Sequence, residues 1–145
     1  MILIEYDKKI VIVGYSGAGK STLLGFFIKK IAKAKFFAVI VDTTSKFSRL
    51  KHIRYKGKTE CLYKNPNSVC IKIQSEEDLE NIIKNINDKD RLPMLLIVDE
   101  IDQFTDVHSL MPETSLFFQQ GRNYRHGGIF TIRQIGRLNK QILSN

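Results

Sequence analysis

The residues best suited to chemistry lie in a glycine-rich segment near the amino end of the chain. Residues 14–21 read GYSGAGKS and fill every defining position of the pattern G-x-x-x-x-G-K-[ST]. In such a loop, backbone N–H groups turn inward around phosphate, Lys20 contacts the β- and γ-phosphates, and the hydroxyl of Ser21 binds Mg²⁺. The sequence therefore predicts a nucleotide site with contacts from Gly14, Tyr15, Ser16, Gly17, Ala18, Gly19, Lys20, Ser21 and Thr22. The glycines at 14, 17 and 19 are expected to supply the backbone angles that the loop needs.

Two carboxylates follow a strongly apolar run later in the chain. Residues 94–98 read MLLIV, and Asp99 and Glu100 come directly after them. Asp99 is suited to accept hydrogen bonds from Ser21 or from water bound to Mg²⁺, so Asp99 and Ser21 are the predicted metal-site residues. Glu100 is suited to orient and polarise an attacking water as a general base. The pair indicates hydrolysis rather than binding alone.

Polar residues leave two further apolar runs. Residues 127–132 precede Arg133 and Gln134, and the Gln134 amide is predicted to report on the γ-phosphate, a cap on the strand end being the plainer interpretation. Residues 35–42 end in Asp42, which suits either a second-shell hydrogen bond near Mg²⁺ or a cap on the next turn. The sequence leaves the role of Asp42 open.

These side chains require elements that bring them to one edge of a sheet. Apolar runs predict strands over residues 2–6, 9–13, 35–42, 69–73, 94–98 and 127–132. Helical spacing predicts helices over residues 21–34, 75–86, 112–125 and 137–143. The first of these helices is expected to bury Leu23, Leu24, Phe27, Ile28 and Ile31. This alternation is typical of an α/β domain with a mostly parallel central sheet and helices on both faces.

Composition limits the remaining possibilities. With 145 residues and a hydrophobic content of 43%, the chain is predicted to form a single domain over residues 1–145. Cys61 and Cys70 match neither a redox motif nor a zinc pattern, so reduced thiols are expected, and the scattered histidines predict no metal site built from protein ligands alone. Because no apolar run could span a membrane and no signal peptide pattern is present, a cytoplasmic location is expected.

The charge is strongly segregated along the chain. The net charge is +8, and residues 43–75 carry eight lysines and arginines against one glutamate. Between Lys46 and Lys64 these cations alternate with aromatic residues, a mixture typical of nucleic-acid contact. A solvated connection has the same composition, so nucleic-acid contact is favoured here without excluding that alternative.

The order of motifs resembles the FtsK/HerA superfamily of P-loop ATPases, especially the small genome-packaging ATPases of archaeal and bacterial viruses. The resemblance covers nearly the whole chain, and its most specific part lies near the carboxyl end. The matching segments are residues 14–21, 41–43, 98–100, 121–124, 128–134 and 137–143.

The resemblance implies a RecA-like core of the ASCE class that uses ATP and Mg²⁺ and assembles as a homo-oligomeric ring, usually a hexamer. It implies that ATP hydrolysis drives duplex DNA through the ring, with a capsid or other DNA-processing protein as a further partner and the host cytoplasm as the location of a viral protein. It also implies an arginine finger from the neighbouring subunit. Arg122 is the first choice for this role, followed by Arg133, Arg125 and Arg137.

The chain also departs from that family, which usually continues with a further strand and other C-terminal elements. Residues 1–145 are therefore expected to be a minimal version, or one that relies on another chain. A small-molecule P-loop kinase and an ATP-binding structural partner of a larger ring remain alternatives. A GTPase is disfavoured because no N-K-x-D motif occurs, and a transporter ATPase because no LSGGQ-like signature occurs.

Overall fold

Six parallel strands form one sheet in the computed structural model, which describes residues 5, 7–34, 37–43, 46–47, 52–54, 69–87, 93–137 and 139–143. The order across the sheet is β1-β6-β5-β2-β4-β3, and each neighbouring pair is parallel. The strands are β1 (Lys9–Val13), β2 (Ala38–Val41), β3 (His52–Arg54), β4 (Val69–Lys72), β5 (Met94–Val98) and β6 (His126–Ile132). The strand predicted at residues 2–6 lies outside the described residues, apart from Glu5.

The strand β6 lies between the strand of the glycine-rich loop and the strand of the two carboxylates. In β6, Ile132 pairs with Val13 of β1, and Phe130 pairs with Val98 of β5. Because the strands are parallel, their carboxyl ends meet at one edge of the sheet, and the residues that follow them share that edge. The predicted α/β fold with a RecA-like parallel sheet is confirmed.

Helices cover both faces of the sheet, as predicted. They are α1 (Lys20–Lys33), α2 (Glu76–Asn87), α3 (Pro112–Gln120) and α4 (Lys140–Leu143). Side chains alternate along the strands, so that Ile40 and Ile97 pack with α1 while Val41 and Val98 pack with α2 and α3. None of the helices in the described part of the chain is both long and apolar enough to cross a membrane.

Several predicted boundaries were wrong. The helix predicted over residues 112–125 ends at Gln120. A 3-10 turn (Gly121–Tyr124) follows it, and the next residue, Arg125, has a positive φ angle. The final helix begins at Lys140, after a separate 3-10 turn (Ile135–Arg137). Leu23 is 43% exposed and not part of the core, because the buried face of α1 runs through Leu24, Phe27, Ile28 and Ile31.

The short strand β3 lies inside the basic segment, which runs from Lys46 to Lys64 and in which no strand was predicted. Its three residues, His52–Arg54, pair in register with Cys70 to Lys72 of β4. Three residues are too few to show an alternating pattern, so backbone pairing with β4 decides their conformation. Most of the remaining basic segment, including Cys61, lies outside the described residues.

The packing of α3 on α2 uses a buried carboxylate. Glu80 of α2 accepts hydrogen bonds from the backbone N–H groups of Glu113 (2.6 Å) and Thr114 (2.9 Å) and from the Thr114 hydroxyl (2.7 Å). The cap residue of α3, Met111, provides no side-chain hydrogen bond. Glu80 therefore satisfies the free N–H groups at the start of α3 and meets the positive end of that helix.

His126 begins β6 as a fully buried side chain, and neither of its ring nitrogens hydrogen-bonds a group in the described part of the chain. Burial lowers the pKa of His126 to about 4. The folded protein therefore keeps this ring neutral, whereas the unfolded chain gains a proton below a pKa of about 6.5. The contribution of the neutral ring to the free energy of unfolding is lost as the pH falls from about 6.5 towards 4.

We expect the free energy of unfolding of His126→Leu to be less sensitive to acid than that of the parent chain. Between about pH 7 and pH 4.5, the parent should lose about 2 to 3 kcal/mol more than the variant, since each pH unit corresponds to roughly 1.4 kcal/mol. Urea unfolding of both proteins at the two pH values measures this difference. If the free energy of unfolding had the same pH dependence in both proteins, the buried His126 ring would be protonated as easily in the folded protein as in the unfolded chain.

Candidate active site

The glycine-rich loop occupies the turn between β1 and α1. Gly17 and Gly19 have φ angles of 83° and 82°, a region that other residues rarely adopt, and Gly19 is the residue before α1. Gly14 does not adopt a positive φ. A Cβ at Gly14 would lie 3.2 Å from the Ala18 Cβ, so a larger residue there would require Ala18 to shift by a few tenths of an ångström.

Lys20 begins α1 and lies folded back over the loop. Its ammonium donates hydrogen bonds to the backbone oxygens of Gly14 (2.6 Å) and Tyr15 (3.0 Å), and the residue is only 8% exposed. The loop therefore holds its lysine beside the backbone N–H groups at the positive end of α1, where a phosphate group would bind.

Ser21 and Asp99 are brought together as predicted for a metal site. The Ser21 hydroxyl donates to Asp99 Oδ2 (3.3 Å), and Thr131 of β6 donates to Asp99 Oδ1 (2.6 Å). The backbone N–H of Glu100 in turn donates to the Thr131 hydroxyl (2.7 Å). Thr131 thus fixes the end of β5 against β6 and orients the fully buried Asp99.

Glu100 lies in a left-handed backbone conformation (φ 57°) and is 6% exposed. Arg133 donates to both of its carboxylate oxygens, from Nε to Oε1 (3.2 Å) and from Nη2 to Oε2 (2.9 Å), and the Gln103 amide also donates to Oε2. The hydrogen bonds from Arg133, together with the nearby positive charges, hold the pKa of Glu100 below its usual range. Glu100 is therefore an ionised and oriented carboxylate.

Asp42 follows β2 and takes the capping role that was one of its two predicted roles, whereas the role near Mg²⁺ stays a prediction. Its carboxylate accepts hydrogen bonds from the backbone N–H groups of Lys46 (3.2 Å) and Phe47 (2.9 Å). It therefore caps the turn after β2. The turn directs Lys46 towards the loop, where its ammonium lies 3.0 Å from the Ser21 hydroxyl.

These residues surround one open cavity of about 460 Å³, a volume that suits the phosphate chain of a nucleotide. Ser21 and Asp99 offer the hydroxyl and carboxylate oxygens that Mg²⁺ prefers, and their contact with the Lys46 ammonium shows that the position accepts a cation. The residues present therefore fit both a nucleotide and Mg²⁺. The cavity is lined by Ser16, Gly17, Gly19, Lys20, Ser21, Thr22, Lys46 and Glu100.

Two predicted catalytic residues belong to the segments at opposite ends of β6. Gln134 follows Arg133 at the end of β6 and is exposed, so its sensor role stays a prediction. Arg122 belongs to the 3-10 turn before β6, and this strand of seven residues, roughly 20 Å long, separates the turn from the cavity edge. The arginine-finger role of Arg122 stays a prediction.

Sequence reasoning missed three functional contacts at this edge. Thr131 orients Asp99, Lys46 reaches Ser21, and Arg133 pairs with Glu100 of its own chain although it was considered only as a finger in a neighbouring site. The signal that was available is positional, because Thr131 is the next-to-last residue of β6, Arg133 directly follows β6, and Lys46 lies in the turn after β2, all at the carboxyl edge of a parallel sheet.

Solved structures with the same fold include viral packaging ATPases. The genome packaging NTPase B204 of Sulfolobus turreted icosahedral virus 2, solved with AMPPCP, superimposes with a TM-score of 0.78 at 19% identity, covering 96% of this chain and 71% of B204. B204 of Sulfolobus turreted icosahedral virus is described as a DNA-packaging ATPase. It superimposes with a TM-score of 0.76 at 19% identity, covering 97% of this chain and 73% of that one. No curated protein matches the chain significantly.

The cytoplasmic domain of EssC also shares the fold, with a TM-score of 0.68 and 18% identity over 99% of this chain and 30% of that one. These neighbours share the fold that the resemblance in the motifs implied. A family profile described as AAA domain matches residues 4–132. Because this match spans well over half of the chain, the protein belongs to the AAA domain family of P-loop ATPases.

Proposed function

We propose that the chain is a Mg²⁺-dependent ATPase that works in a homo-oligomeric ring and drives duplex DNA, as in genome packaging. The observation that carries the ATPase part is the meeting of Lys20, Ser21 and Glu100 around one cavity, with Asp99 hydrogen-bonded to Ser21. A purely structural nucleotide-binding protein would not need a buried, oriented carboxylate such as Glu100 at that position. ATP is the proposed nucleotide because the related fold of B204 is solved with AMPPCP and with ATP-γS.

Each residue has a distinct role in this proposal. The loop N–H groups and Lys20 bind the phosphate chain, and Ser21 and Asp99 hold Mg²⁺, which supplies positive charge to the phosphate oxygens when bound. Glu100 orients the attacking water and accepts its proton. A carboxylate oxygen can accept two hydrogen bonds, so Oε1, which accepts one from Arg133 Nε, can accept a second one from the attacking water.

Two further residues complete the proposed site. Gln134 contacts the γ-phosphate after a change at the end of β6, and Arg122 acts as the arginine finger in the site of the neighbouring subunit. The position of Arg122 before β6, away from its own cavity, supports a role between subunits. Such an arginine stabilises charge in the transition state and makes hydrolysis depend on assembly.

The DNA part of the proposal has separate support. The net charge of +8 favours a polyanionic partner, and B204, which shares the fold, is described as a DNA-packaging ATPase. A capsid protein is the further partner that this role implies. The proposal places the protein in the cytoplasm, which is the host cytoplasm if the chain is viral.

We expect duplex DNA to stimulate steady-state ATP hydrolysis by the purified chain in the presence of Mg²⁺. The stimulation should increase with protein concentration, because a ring must assemble, and decrease with salt, because contacts with DNA phosphates release counterions. Hydrolysis measured over a protein series and a salt series, with and without DNA, tests both parts. ATPase activity that ignores DNA and concentration would overturn the DNA and ring proposals, and absence of activity under all conditions would overturn the ATPase proposal.

A further inference from the structure

Lys46 reaches the phosphate site from outside the glycine-rich loop. Its ammonium lies 3.0 Å from the Ser21 hydroxyl and 3.8 Å from Asp99 Oδ2, and it lines the same cavity as Lys20 and Glu100. Ser21 and Asp99 are the two oxygen ligands that fit Mg²⁺ here. A positively charged side chain of the protein therefore lies against the groups that would hold the metal.

The backbone of Lys46 lies in a turn held by hydrogen bonds, and its 45% exposed side chain reaches the site from this turn. Asp42, fully buried at the end of β2, accepts hydrogen bonds from the N–H groups of Lys46 and Phe47. The Phe47 ring packs against the buried cluster around α1 and lies 3.7 Å from where a Cβ at Gly25 would be. The turn thus attaches to both β2 and α1, with Lys46 between them.

We propose that Lys46 is a second lysine of the phosphate site, one that competes with Mg²⁺ for Ser21 and Asp99 and neutralises the nucleotide phosphates when the metal is not bound. This inference rests on the proposed nucleotide function and adds a regulation of the same site by metal. An ammonium on a flexible stem can exchange between the Asp99 carboxylate and a phosphate oxygen without movement of the backbone. If Ser21 and Asp99 held Mg²⁺, repulsion between the two cations would weaken the contact of the Lys46 ammonium with these oxygens.

The proposal predicts that Lys46 matters most for nucleotide that carries no metal. In Lys46→Gln, ATP binding measured by calorimetry in EDTA should weaken by about 10- to 100-fold, which is the usual effect of losing a hydrogen bond between charged groups. In excess Mg²⁺ the same variant should lose less than about threefold, because the metal supplies the missing charge. Lys46→Arg should retain most of the affinity in EDTA.

Lys29→Gln is the matched control, since it removes the same charge from an exposed position on α1 and should change neither affinity. The Asp42 contacts use backbone N–H groups, so Lys46→Gln should keep the turn, and unchanged thermal unfolding without nucleotide would verify this. Equal weakening in EDTA and in Mg²⁺, or no weakening in either, would overturn the competition with metal. If the parent chain binds ATP under neither condition, the proposed function fails instead.

Discussion

Replacing Glu100 with glutamine should leave ATP binding intact and lower the rate of hydrolysis by about 10²- to 10⁴-fold, the usual contribution of a positioned general base. The carboxylate is ionised in the folded protein because Arg133 holds its pKa low, and an amide of the same size cannot accept a proton from water. The change keeps the shape of a residue that lines the cavity and has a constrained backbone. Single-turnover hydrolysis and ATP binding by calorimetry separate the two effects.

A matched control for this variant is Glu77→Gln, which makes the same chemical change at an exposed position of α2. Its hydrolysis rate should equal that of the parent chain. Should Glu100→Gln turn over ATP at the parent rate, the water-orienting role of Glu100 is wrong. Should it lose ATP affinity to the same extent as it loses rate, Glu100 contributes to binding and not to the chemical step.

The parts of the site that could be predicted from the sequence depend on local backbone or on the ends of strongly apolar strands. The residues of the glycine-rich loop are adjacent in the chain, so their pattern contains most of the geometry, including the positive φ angles at Gly17 and Gly19. Asp99 and Glu100 follow a strand with five buried residues, and a parallel sheet brings its end to the loop. These predictions needed no knowledge of distant contacts.

The parts that could not be predicted depend on pairs far apart in sequence. Arg133 is 33 residues from Glu100, and Lys46 is 25 residues from Ser21, so no local pattern indicates either contact. Glu80 has the ordinary spacing of a helical surface glutamate, yet it is buried because it caps α3. The helix predicted over residues 112–125 was too long, because the chain continues after Gln120 as a 3-10 turn that leads to a positive φ at Arg125.

Truncating Lys20 to alanine should weaken ATP binding by about 10- to 100-fold, because a charge-assisted hydrogen bond to phosphate is lost inside a partly enclosed site. In the folded chain the Lys20 ammonium bonds the loop oxygens of Gly14 and Tyr15, so it already lies beside the place where phosphates bind. Lys20 is assigned to the β- and γ-phosphates, which AMP lacks. The affinity for AMP should therefore change by less than about threefold, and the preference of the chain for ATP over AMP should shrink accordingly.

Calorimetric titration of ATP and of AMP into Lys20→Ala, Lys29→Ala and the parent chain measures this preference. Lys29→Ala removes the same side chain from an exposed part of the same helix, so it controls for net charge and for helix propensity. The variant also loses the two hydrogen bonds to the loop, and loss of AMP binding together with ATP binding would mean that the loop had collapsed. Since Gly17 and Gly19 set the loop backbone independently of Lys20, we expect the loop to persist. Unchanged ATP affinity in Lys20→Ala would show that the phosphates bind elsewhere, and the proposed function would lose its basis.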